Sequence, residues 1–146
     1  MNNKMISNKI VFVLLVGVMF LAGCDTTQEP IQEDVVQAAF PTVTTGTTET
    51  GDVAIELVPK GIQNGKLIVD LSVNTHSVDL TQFDLAAITT LTYDGKTAKP
   101  ISAPQLTGHH TSGTMEFPMD GKPSSFTITI LGMPALAERV FSWSKK

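Results

Sequence analysis

The chain has 146 residues, 10 Lys and Arg against 14 Asp and Glu, a net charge of −4 and one cysteine. That length supports one core of ordinary size. The acidic balance argues against nucleic acid and against electrostatic adhesion to anionic lipid, and a lone cysteine leaves stability to burial alone.

Lys4 and Lys9 precede an almost unbroken apolar run from Ile10 to Ala22. A basic start, a short apolar run and small residues at its end predict a secretory signal peptide over residues 1–23. The run is roughly 13 residues, against about 20 for a helix that crosses the hydrocarbon core. Leu21-Ala22-Gly23-Cys24 resembles a bacterial lipobox. The resemblance implies cleavage before Cys24 and acylation of its sulfur and of the new amino terminus by palmitate-class chains. Several chains anchor a protein far more firmly than one. Asp25 resembles the inner-membrane retention signal of enteric-type lipoproteins. Loss of Lys4 and Lys9 with the leader takes the basic count from 10 to 8 and the net charge from −4 to −6.

Residues 24–50 are rich in Thr, Gln, Glu and Pro, with Thr42-Val43-Thr44-Thr45-Gly46-Thr47-Thr48 the most biased piece. Such a composition buries little apolar surface and predicts a flexible tether. Asp34 to Phe40 has the makings of one or two helical turns, which Pro41 ends.

From Asp52 the pattern has period two. Val53, Ile55 and Leu57 alternate with Ala54 and Glu56; Leu67, Val69, Leu71 and Val73 alternate with Ile68, Asp70, Ser72 and Asn74; and Phe126, Ile128 and Ile130 alternate with Thr127 and Thr129. Strands are predicted at 53–58, 66–75, 88–93, 97–101, 114–117, 125–131 and 139–143. Asn64-Gly65, Asp94-Gly95 and Asp120-Gly121 supply turns of positive φ. No segment sustains a helical period. The expected fold is an all-β, antiparallel immunoglobulin-like sandwich of about seven strands over residues 51–146. Phe141 and Trp143 are expected to close its core.

If each strand reverses direction, the long irregular connections share one end with the start of the first strand, where the tether is expected to enter. Binding residues gather on such loops. His76 and the adjacent His109 and His110, the three histidines of the chain, are all expected there. One reading is a copper or zinc site using His76, His109 and His110 with Asp79, Asp84 or Met133, since imidazole suits both metals. The spacing matches no strong metal signature. The other reading is structural: histidines that hydrogen-bond loop carbonyls and pin two loops together. On a regular strand His109 and His110 point to opposite faces, so only a bent loop brings both to one ion.

Gly108-His109-His110-Thr111-Ser112-Gly113 is not a nucleophile elbow, and no phosphate-cradling loop is present. No catalytic residue is assigned and no enzyme is expected.

Asn74-Thr75-His76-Ser77-Val78-Asp79-Leu80 and Gly108-His109-His110-Thr111-Ser112-Gly113-Thr114-Met115-Glu116-Phe117 together resemble an uncharacterised family of exported lipoprotein domains of bacteria and archaea. The likeness runs from about Val53 to Trp143. It implies an immunoglobulin-like fold in which the two segments belong together, and it carries no activity. The expectation is a lipid-anchored envelope protein with its domain outside the cytoplasm: a binding or accessory module without cofactor, or a copper- or zinc-binding module. Its expected partners are the membrane, through the lipid, and an envelope protein.

Overall fold

The computed structural model describes residues 40–145. The leader, Cys24 and positions 24–39 of the tether lie outside the described residues.

Alternating side chains place the core between two sheets. Along Lys66–Asn74 the odd-numbered residues Leu67, Val69, Leu71 and Val73 are buried and their neighbours half-buried. The first sheet is built from β1 (Val43–Thr45), β2 (Ala54–Gln63), β3 (Lys66–Asn74) and β6 (His110–Pro118) in the order β1-β2-β3-β6. The second contains β4 (Thr89–Tyr93), β5 (Lys96–Ala98), β7 (Ser125–Leu131) and β8 (Glu138–Ser144) in the order β5-β4-β7-β8. Every pairing is antiparallel. This is the expected all-β sandwich, with one departure from constant-type immunoglobulin order. The short strand β5, fourth in that order once the edge strand β1 is set aside, pairs with β4 rather than with β6.

The tight turns fall where positive φ was expected: Asn64 and Gly65 join β2 to β3, and Asp94 and Gly95 join β4 to β5. β2 runs past its predicted end at Val58. A bulge between Pro59 and Gly61 takes up Lys60 and lets the pairing resume at Ile68. The longest connection, between β3 and β4, carries a 3-10 turn (Leu80–Gln82) and one helical turn, α1 (Leu85–Ile88). Asp79 and Asp84 cap them by accepting from the amides of Thr81 and of Ala86 and Ala87.

Two expectations are corrected here. The sandwich includes residues ahead of 51, among them Phe40. Val43–Thr45 pairs with Leu57, Glu56 and Ile55 as an edge strand. Phe40 is buried edge-on against Phe126 at 4.9 Å, Phe126 stacks on Trp143 at 5.0 Å, and Trp143 Nε1 donates to Pro41 O at 2.7 Å. A Thr-rich stretch reads as solvated coil until an aromatic beside it finds a core. The second correction follows from the first. Because β1 reverses into β2, the chain enters beside the start of β7 and the end of β8, opposite the long loops.

Candidate functional site

Four connections gather at one end of the sandwich: β1–β2 (46–53), β3–β4 (75–88), β5–β6 (99–109) and β7–β8 (132–137). A buried cation ties two of them. Arg139 has no exposed side-chain surface, and its Nη2 donates to Asp52 Oδ1 at 2.8 Å and to Pro134 O at 2.7 Å. Among the described residues its Nε and Nη1 have no hydrogen-bond partner. The guanidinium holds the Asp52 carboxyl down at about 2, assisted by the amides of Val53 and Thr47 against some burial. Asp52 Oδ2 also accepts from the Thr47 amide at 2.8 Å, which folds the β1–β2 loop onto itself.

The β3–β4 loop is pinned to the same platform. Thr75 is fully buried; its hydroxyl donates to Asp52 O at 2.8 Å and accepts from the amides of Ser77 and Val78. Ser77 Oγ accepts from the Gly51 amide at 2.7 Å. The Thr75 amide donates to His109 O at 2.9 Å, joining the loop to the β5–β6 connection. There, the buried Thr111 hydroxyl donates to Thr107 O and accepts from Thr107 N, both at 2.9 Å, closing the turn around Gly108. The two segments that the sequence brought into one resemblance thus meet in space.

The histidines divide. His110 is the first residue of β6, not part of a loop, and pairs in register with Asn74. The predicted strand began four residues later, because Ser112 and Gly113 look like turn residues. Gly113 is instead where Pro104 lies against the strand, 2.7 Å from where a Cβ would stand. His110 Nδ1 bonds Asn74 Oδ1 at 2.9 Å, and its ring centroid lies 6.4 Å from that of His76. His109 turns away, with Nδ1 3.2 Å from Val78 O. Asp79 is held below the usual carboxylate range by the Thr81 hydroxyl and amide, with His109 adding a smaller pull. His76, Asp79, His109 and His110 are all exposed. Among the described residues, no three His, Cys, Asp or Glu side chains converge on one point. Met133 is buried in the core rather than offered as a ligand, and Met115 and Met119 are buried as well.

An open cleft of about 350 Å³ lies between the β3–β4 and β5–β6 loops, with Phe83, Leu85, Ala103 and Pro104 among its walls and Gln105 at its rim. Asp84, the one ionisable residue lining it among the described residues, uses Oδ1 to cap α1. A second depression lies along the second sheet, where Thr92, Thr127 and Ser142 stand in register across three strands.

The Arg139–Asp52 pair went unrecognised in the sequence, although a signal was present. Arg139 has the same parity as Phe141 and Trp143 on a strand whose odd positions face inward. A cation at an inward position calls for a buried acid.

The molecule belongs to the class of antiparallel β-sandwiches of two four-stranded sheets, with a polar loop platform at one end. Compared with known proteins, the chain matches no family model, no curated protein and no solved structure. Among the described residues, no helix is long and apolar enough to cross a membrane.

Proposed function

We propose that the protein is a lipoprotein of the bacterial cell envelope, anchored through acylated Cys24, whose sandwich is a non-catalytic binding or accessory module outside the cytoplasm. The Leu21-Ala22-Gly23-Cys24 motif behind a basic and then apolar leader carries this reading; in the sandwich, Phe40 and Lys145 lie at the end opposite the four loops, with the Lys145 amide bonded to Ser124 O and its Nζ over the Phe40 ring. An anchor on the N-terminal side therefore attaches to the sandwich at the end opposite its loop platform, which leaves the platform free to meet a partner. The sixteen positions from Cys24 to Phe40 reach at most ~55 Å when fully extended. The partner of the platform is another envelope component, and Asp25 favours the inner membrane where enteric-type sorting operates. A non-catalytic role is favoured by the platform chemistry. Thr75, Ser77, Asp79 and Thr111 are each engaged in holding the loops.

The test uses the full-length chain in cells fed a labelled acyl precursor. The wild type is expected to carry the label and sediment with membranes, and Cys24→Ala to do neither. Ser112→Cys, exposed on β6, is expected to react with a membrane-impermeant maleimide before lysis. An unlabelled wild-type chain in the cytosolic fraction, with thiols reactive only after lysis, overturns the proposal.

A further inference from the structure

We infer that His76 and His110 form a two-imidazole site for a copper- or zinc-class divalent cation on the loop platform. The inference rests on the platform being the binding end of the molecule, and it names what binds there.

Hydrogen bonding fixes the tautomer of His110. Asn74 Nδ2 donates to Ser72 Oγ at 3.0 Å, which turns Asn74 Oδ1 toward His110. That oxygen only accepts, so the proton of the neutral His110 ring sits on Nδ1 and the lone pair on Nε2. A fixed Nδ1–H on an oxygen acceptor, with Nε2 free, is how metal-binding histidines are held, because it sets ring orientation and raises the basicity of the ligating nitrogen. Strand register does the rest. His110 and Asn74 are direct cross-strand partners on the outer face, since Thr111 and Val73 beside them are buried.

His76 supplies the second ligand. It lies two residues beyond Asn74, and its ring makes no hydrogen bond to any described residue. The two centroids are 6.4 Å apart with the ring planes at 71°. An ion bonded to one nitrogen of each ring at about 2.0–2.1 Å separates the ring centroids by roughly 5–6.5 Å. The observed 6.4 Å stands at the upper end of that range, and His76 is exposed, so its ring is free to turn toward His110. His109 is excluded by position: its Nδ1 faces Val78 O, and among the described residues no third His, Cys, Asp or Glu joins His76 and His110 in one cluster.

Two protein ligands leave the remaining coordination positions to water. The site is therefore open and exchangeable, unlike a closed structural centre with four protein ligands. Order of affinity follows the general preference of nitrogen sites, copper(II) above zinc(II).

The test is calorimetric titration of the full-length Cys24→Ala chain in mild detergent with Cu(II) and Zn(II), Cys24→Ala removing the competing thiol. One equivalent of Cu(II) is expected to bind at micromolar or tighter Kd. His76→Ala and His110→Ala each weaken it at least tenfold, Asn74→Leu by about tenfold, and His109→Ala by less than twofold. Copper hyperfine coupling to imidazole nitrogens should fall from two rings to one in His76→Ala. Both histidines are exposed, so circular dichroism should show each variant folded. Absence of binding at millimolar copper, or a loss in His109→Ala equal to that in His110→Ala, overturns the site. Acyl labelling and maleimide access are read separately, so failure here is distinguishable from failure of the anchored arrangement.

Discussion

Arg139 and Asp52, separated by most of the domain in sequence, meet at 2.8 Å with the guanidinium wholly buried and the carboxylate 17% exposed. The pair fastens the β1–β2 loop to the start of β8, and through Asp52 O it also holds Thr75. It is therefore the knot of the loop platform, and its energetics can be measured.

Asp52→Ala leaves a buried guanidinium without its counter-ion. Removing one member of a buried pair costs on the order of 3–5 kcal/mol. Urea denaturation should show that loss, while Lys96→Ala, whose pair with Asp120 is exposed, should change stability by about 0.5 kcal/mol or less.

Acid should unfold the domain through the same group. The folded carboxyl of Asp52 titrates at about 2, below its ordinary value of 3.8. Between those values the unfolded chain binds the proton more readily, so stability falls as pH drops through the window. The contribution is fully present above pH 4 and absent below about 2, and amounts to roughly 2 kcal/mol. Denaturation midpoints from pH 5 to pH 2 should show a shallower decline in Asp52→Asn than in the wild type.

Gly46 should resist substitution more than Gly51. Both have positive φ, +73° and +82° respectively, but an added Cβ at Gly46 runs into Val53 O and Arg139 Nη1 whereas Gly51 faces open space. Gly51→Ala should cost about 1 kcal/mol from backbone strain alone. Gly46→Ala should cost at least 2 kcal/mol more, as read from thermal unfolding.

Phe40→Ala tests where the domain begins. Deleting a buried phenylalanine typically costs 3–5 kcal/mol. The same variant should shift the fluorescence of Trp143 to longer wavelength, because Phe40 backs the Phe126 ring that stacks on that indole and the adjacent Pro41 O accepts from its Nε1. A chain starting at Thr50 should be destabilised further, as it also lacks β1.

Much of the fold was legible because alternation is a local signal. β3, β7 and β8 show it within seven to nine residues, and the Asn-Gly and Asp-Gly pairs mark their turns by backbone chemistry alone. β1 was illegible: three residues of Thr and Val carry no period, and their pairing depends on Phe40 reaching Phe126, far along the chain. β6 was clipped at its start because Gly113 looks like a turn until Pro104 is seen lying against it. At the platform, the gathering of the Thr75 and His109 loops at one end was readable from strand reversal, and the Thr75 amide does meet His109 O. The division of the histidines was readable only as a conditional, settled once His110 was seen to open a strand. The Arg139–Asp52 pair had a parity signal at one partner and none at the other.

The reversal of β1 into β2 has a mechanical corollary. If the loop platform is held while the chain is pulled from its N-terminal side, load enters at Phe40 and runs along β1 parallel to its axis. The pairs Val43–Leu57, Thr44–Glu56 and Thr45–Ile55 then resist in shear, sharing the tension instead of peeling apart one at a time.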